Sequence, residues 1–469
     1  MVASRVNRMR AIRADRQGAA ESGRVRSSLA LGFLARQVLG FGLGTVLLAS
    51  TLLAQDTGRT VRHHRVAEAD SSFPPELSQA EDDIAKKDFA GAEPLLKTVV
   101  ERDAGNFQAW FDLGYVDNAL GKKDEAIAAY RKSVAAKPNV FESNLNLGLM
   151  LAEKGQPGAE QFLRAATKLT PTAEIDEGHA RAWMGLAQVL EASDPAESAD
   201  AYLQVATLRP KDPEPRLSAG VLFEKQNRFA DAEQQYRQAL AIDPASPNAL
   251  TALANLYMRG RRFGEAEDML RKLLALHPED PRAHMQLGRM LAADGQNDAA
   301  IAELQATLKM APNDLGVQRD LADLYAMTGK YDLAQAAYQA LLGSNPKDSD
   351  LHYRLGQALL RQRKFPPAQQ EFLAAVQLKP DFGGAYGDLA VAANENKNYV
   401  GVIAALDARA KFLPEIPIGY FLRATAYDHL RNYKLAAVNY HKFLAVANGQ
   451  FPDNEWQARH RLIAIEPKK

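Results

Sequence analysis

The sequence predicts an all-α protein, a solenoid of about eleven helix hairpins closed by one further helix. Three observations carry that expectation. A leucine followed at once by a small residue returns every 34 residues, as Leu113-Gly114, Leu147-Gly148, Leu253-Ala254, Leu287-Gly288, Leu321-Ala322, Leu355-Gly356 and Leu389-Ala390. Later in each unit a second small residue is followed four places on by a large one: Ala126 and Tyr130, Ala232 and Tyr236, Ala334 and Tyr338, Ala368 and Phe372. A proline then closes most units, among them Pro138, Pro244, Pro278, Pro312, Pro346 and Pro380. Apolar residues at three- and four-residue spacing make two amphipathic helices per unit. Small residues let the two backbones approach, large side chains opposite them fill the space, and proline stops one helix while suiting the start of the next.

Residues 1–36 carry eight arginines, no lysine, and only Asp15 and Glu21 as acids. Gln37–Ala54 is an uncharged run rich in Leu, Val and Gly. A basic flank before an apolar run and small residues has the layout of a secretory signal, and eighteen apolar residues also approach a membrane span. Residues 1–54 therefore read as an exported leader or as an anchor through 37–54, with the arginines inside. The glycines 40, 42 and 44 lack the strand and the Gly-Lys-Ser/Thr of a phosphate loop. Residues 55–72, polar and without periodicity, read as a tether, and His63-His64 within it as solvated.

The repeated array is expected over 73–450. Its third and fourth units each lose one residue at the internal turn, and the acidic insert "EIDEGH" (174–179) between them is placed on the loop edge. Gly121–Ala126 and Gly329–Ala334 supply turns between helices. The tenth unit has Val402 and Arg409 where small residues stand elsewhere, so looser packing is expected there. After 450 the segment "PDNEWQARHRLIAI" is expected to cap the open end with Trp456, Leu462 and Ile463.

Composition narrows the function. Of 469 residues, 46% are hydrophobic and 24% charged, enough to bury a core over most of the chain. There is no cysteine, which removes disulfides, thiolate metal sites and cysteine nucleophiles. The net charge is zero overall, but the front half-dozen net positive charges leave 49 basic against 55 acidic side chains in residues 37–469. A mildly acidic body does not suit nucleic acid, which needs a basic face to displace counterions. No nucleophile elbow, dinucleotide fingerprint or zinc-hydrolase helix is present, and no cofactor is implied.

The 34-residue pattern, with Trp110, Leu113, Gly114, Ala126, Tyr130 and Pro138 in one copy, resembles the tetratricopeptide repeat family. The resemblance covers 73 to about 450. It implies a right-handed superhelix whose first helices line a concave groove that binds peptides or partner helices. It also implies that Trp110, Leu113, Gly114, Ala126, Tyr130 and Pro138 are structural, and that Trp110→Ala costs about 3–5 kcal/mol. Residues 2, 5, 9 and 12 of each copy then face the groove. In the early copies these are Phe111, Tyr115, Leu145 and Leu149, an apolar and aromatic patch. In the middle they are Asn248, Asn255, Arg282, Arg289 and Arg319, with Asp323, a set suited to a carboxylate or an acidic peptide. Further on come Tyr353, Gln357, Asn394, Phe421 and Asp428. The plain alternative for the central group is ordinary solvated polar residues. His284 and His352, at the Trp110 register, are expected to pack between helices. The resulting expectation is a non-catalytic scaffold for a protein partner, exported or held at the inner membrane with the cytoplasm as the alternative location, and with a glycan or other small-ligand carrier as the alternative function.

Overall fold

A computed structural model of the chain describes residues 74–466. The leader, the apolar run at 37–54 and the tether lie outside the described residues. The described part holds 23 α-helices and no strand, and divides into two compact units at Leu276/His277.

The first unit contains six hairpins. They are α1 (Pro75–Ala85) with α2 (Phe89–Arg102), α3 (Phe107–Ala119) with α4 (Lys123–Ala136), and α5 (Phe141–Glu153) with α6 (Ala159–Ala166). Then come α7 (Ile175–Leu190) with α8 (Pro195–Leu208), α9 (Glu214–Lys225) with α10 (Phe229–Ile242), and α11 (Pro247–Arg259) with α12 (Phe263–Leu276). The second unit contains five more: α13 (Pro281–Asp294) with α14 (Asn297–Met310), α15 (Leu315–Met327) with α16 (Tyr331–Ser344), and α17 (Ser349–Arg361) with α18 (Phe365–Leu378). It ends with α19 (Gly383–Glu395) and α20 (Tyr399–Arg409), α21 (Pro417–His429) and α22 (Tyr433–Ala447), and the single helix α23 (Pro452–Ile465). Each first helix packs most closely on the second helix of its own hairpin.

Local chemistry explains where the helices stop and start. Asp88, Asn106, Asp194, Ser246, Asp280, Asp314 and Asp348 each accept a backbone N–H of the first turn that follows. Prolines open α8, α11, α13 and α21 at positions whose N–H has no partner in a helix anyway. Inside the hairpins a left-handed residue turns the chain, joined in the third by Gly158 (φ 96°). The turning residue stands at Lys87, Gly121, Gly155, Asn227, Arg261, Gly295, Gly329, Arg363, Lys397 and Arg431, with φ between 57° and 85°. The fourth hairpin has no such residue.

The small-opposite-large pairing sets the distance between helices. A Cβ placed on Gly114 would lie 2.9 Å from the Tyr130 ring, and one on Gly356 would lie 2.7 Å from Phe372. Both rings are fully buried. The buried tyrosines also discharge their hydroxyls. Tyr202 donates to Glu191 (2.6 Å), Tyr236 to Glu224 (2.8 Å) and Tyr338 to Asp323 (2.6 Å), so none carries the cost of an orphaned polar group.

Three expectations are corrected. The insert is not a loop: five of its six residues form the start of α7, after a left-handed Glu174 (φ 48°). Arg409 is buried, donating to the Pro414 carbonyl (2.7 Å), and Val402 is fully buried. The tenth hairpin therefore fills the places of small residues with packed and hydrogen-bonded ones. In α23 only Leu462 of the expected trio faces inward, together with Ala458 and Glu455, while Trp456 is 61% and Ile463 74% exposed. At 100° per residue, 455, 458 and 462 share one stripe, and 456, 460 and 463 fall on the opposite one.

Candidate partner-binding faces

The Trp110 register has a role that spacing alone conceals. Trp110 is half-buried against the first core cluster, and its indole Nε1–H donates to the carbonyl of Ala104, six residues back (3.0 Å). The same bond recurs with different chemistry. Asn144 donates to Pro138 (2.8 Å), Gln318 to Pro312 (2.7 Å) and Tyr386 to Pro380 (3.2 Å), while His284 Nε2 reaches the Pro278 carbonyl (3.0 Å) and His352 Nε2 that of Pro346 (3.1 Å). Trp, Asn, Gln, Tyr and His share little except a donor at the right reach. Where a donor stands here, it ties its first helix to the turn that precedes it, satisfying a carbonyl of that turn. Pro138, exposed, is one of those acceptors. Leu113, Gly114, Ala126 and Tyr130 are buried packing residues.

The early apolar residues are not an exposed patch, which corrects that expectation. Phe111 is 1% exposed with its ring 5.6 Å from that of Tyr130, and Leu145 (0%) and Leu149 (6%) belong to the same core cluster. Leu149 fills the space above Gly185. Tyr115 is half-buried, edge-on to Phe89 at 6.1 Å. Large apolar side chains at these positions lean into the interior rather than remain in water.

The central group separates. In the first unit, Asn248 is exposed beside Glu214, whose carboxyl is raised first by burial, and Asn255 is half-buried. In the second unit, Arg282 is open, its side chain 73% exposed with Asp280 4.0 Å away. Arg289 and Arg319 are engaged. Arg289 Nε donates to Asp320 (2.6 Å), and Arg319 to Asp348 (3.0 Å) and Asp350 (3.4 Å). Arg354 continues the ladder, donating to Asp350 (2.7 Å) and Asp323 (2.9 Å). Burial raises the Asp320 and Asp323 carboxyls, and the arginines beside them pull back only part of that. An incoming carboxylate would therefore have to displace one already bound at short range, so Arg289 and Arg319 do not stand ready for it. The sequence reading named Asp323 but missed Asp320, Asp348 and Asp350. Their signal was present, since Asp348 is a helix cap and Asp320, Asp323 and Asp350 recur on first helices.

Beyond the ladder, the first helices of the second unit present Tyr353, Gln357, Asn394 and Asp428, half-buried or exposed, with Gln357 donating to Asp388 (3.0 Å), while Phe421 is buried at 8%. Among the described residues, no group of three or more His, Asp or Glu is placed to hold a metal, and no helix is long and apolar enough to cross a membrane.

The family described as cilia and flagella-associated protein 70 C-terminal domain, a tetratricopeptide-repeat domain, matches residues 68–318, more than half of the chain, and a further tetratricopeptide-repeat family matches 319–381. No curated protein is significantly similar in sequence. Similar solved structures include YrrB, described as a tetratricopeptide-repeat protein with an unusual peptide-binding site (24% identity, 40% of this chain and 96% of that one, TM-score 0.37). MamA from Desulfovibrio magneticus RS-1 (18%, 36% and 96%, 0.34) and the Cut9-Hcn1 hetero-tetramer of the APC/C (15%, 90% and 99%, 0.33) are others. With the hairpin geometry and the family matches over 68–381 together, the chain belongs to the tetratricopeptide-repeat family.

Proposed function

We propose that this protein is a non-catalytic interaction scaffold. A peptide or helix of a protein partner lies along the first helices of the second unit. The observation that carries the reading is the strip of polar, partly exposed side chains on successive first helices there: Arg282, Arg319, Tyr353, Gln357 and Asn394. An extended strip suits an extended partner, because polar groups along it can meet backbone and side-chain groups one after another. Arg282 is its open cation and would take an acidic side chain.

The leader supports a place outside the cytoplasm. An arginine-rich flank followed by eighteen uncharged residues is what export or inner-membrane anchoring requires. The array then acts in assembly or secretion at the envelope.

Two measurements test this. Envelope extract passed over the immobilised 55–469 chain should retain a stoichiometric protein, and Arg282→Glu, exposed and outside the ladder, should lower its retention about tenfold. Retention of glycan without protein, or unchanged capture by R282E, overturns the peptide reading. Fractionation of cells expressing the chain with and without residues 1–54 should move the array from envelope to cytosol. An unchanged distribution overturns the localisation.

A further inference from the structure

At the Trp110 register, His284 faces two acceptors on different elements. Its Nε2 faces the Pro278 carbonyl at 3.0 Å, and its Nδ1 faces Oε2 of Glu303, on α14, at 2.6 Å. A carbonyl oxygen and a carboxylate both only accept. A neutral imidazole has one N–H, so it serves one of them and turns a lone pair toward the other, whereas an imidazolium serves both. His352 repeats the arrangement two hairpins on, with Nδ1 2.6 Å from Glu371 and Nε2 3.1 Å from the Pro346 carbonyl. Between them Gln318 makes the carbonyl bond alone and carries no titrating group.

We propose that His284 is a proton-dependent staple of the seventh hairpin. Doubly protonated, it ties α13 at once to α14 and to the preceding turn. When the Nδ1 proton leaves to solvent, one of the two ties opens, because the ring lone pair and the Glu303 carboxylate repel at that distance. The charged groups facing the ring are Glu303 from α14 and Asp280 from the turn, both acidic. Burial by itself lowers the imidazole pKa, but the Glu303 hydrogen bond, the Pro278 carbonyl and the two acidic charges outweigh it and the net shift is upward.

A raised folded-state pKa means that the staple's contribution is fully present below the unfolded value, about 6.5, and is lost as pH rises through the folded value. The array thus holds its seventh hairpin most tightly in mildly acidic surroundings and loosens it toward alkaline pH. Gln at this place would hold the turn at every pH.

The test uses the full chain labelled with 15N-histidine. One imidazole should keep both nitrogens protonated above the ordinary titration range. Its signal should vanish in His284→Gln and should titrate about one unit lower in Glu303→Gln, as expected for loss of one close opposite charge. In parallel, hydrogen exchange of residues 281–310 should be faster in the wild type than in H284Q at pH 9, and slower at pH 6. A His284 that titrates at or below the ordinary value, or exchange that differs by the same factor at both pH values, overturns the proposal. If H284Q does not fold, E303Q alone decides: the staple requires one imidazole midpoint to fall, and a spectrum in which none moves refutes it.

Discussion

Adding one methyl group at two different glycines should move the stability of this array in opposite directions. Gly356 sits in α17 with the Phe372 ring over it, and a Cβ there would lie 2.7 and 2.8 Å from two ring carbons and 3.1 Å from a third. Carbon atoms in contact settle at about 3.5–4.0 Å, so the ring must retreat by most of an ångström. Phe372 is fully buried, with Tyr353 packed beside it at 5.8 Å, and has little room to do so. Overpacking of this kind costs about 1–3 kcal/mol, whereas replacing a helical glycine by alanine returns about 0.5–1 kcal/mol. The net for Gly356→Ala is a loss of about 1–2 kcal/mol. In α16, a Cβ on Gly343 meets nothing within 4 Å, so Gly343→Ala keeps only the gain, up to about 1 kcal/mol. Since repeats couple chiefly to their neighbours, the assay is local: hydrogen exchange of residues 349–378 for the first variant and 331–344 for the second. About tenfold faster exchange in G356A, and slower exchange in G343A, is the expected result. Protection unchanged or improved in G356A would refute the view that the glycine sets the helix spacing. The preceding hairpin shows why the answer is not automatic, because Ala322 and Tyr338 are both buried there without a glycine.

Three further outcomes follow from the same geometry. Arg363→Gly relieves an exposed left-handed residue (φ 60°) at a turn where Gly329 stands one repeat earlier, and should raise stability by roughly 0.5–1 kcal/mol in urea unfolding. Asp117 is 3% exposed, and burial first, then the Glu93 charge, push its carboxyl up to about 6. A carboxyl raised in the fold is ionised at a penalty, so stability falls as pH rises from about 4 to about 6. Asp117→Asn should therefore stabilise by on the order of 1 kcal/mol at pH 7 and by nothing at pH 4, read from urea midpoints at both. Trp110→Phe keeps most of the packing and loses the Ala104 bond, so it should cost about 0.5–1 kcal/mol. Trp110→Ala should cost about 2 kcal/mol, below the core value expected from its register, because the indole is half-exposed. Thermal melts of the two variants side by side check the order.

The sequence by itself determined the array. Helix pairs, their number and the small-opposite-large packing are all written in residues that recur at one period, and each such residue acts on neighbours within its own hairpin. Gly114 with Tyr130 and Gly356 with Phe372 could be paired from spacing because a hairpin leaves them one way to meet. What faces the groove was less legible, since it depends on contacts made across repeats. Arg289 and Arg319 looked open until the fold brought Asp320 and Asp348 beside them, 31 and 29 residues further along. Phe111, Leu145 and Leu149 carried the right register for a surface, and packing took them into the interior. Trp456 and Ile463 show the reverse case, where two apolar residues in a closing helix face outward because Ala458 and Leu462 hold the inward stripe. His284 became a staple only when α14 delivered Glu303 to its second nitrogen. Periodicity is a property of the chain, but the partner of a charge is a property of the packed repeats, and only tertiary structure decides it.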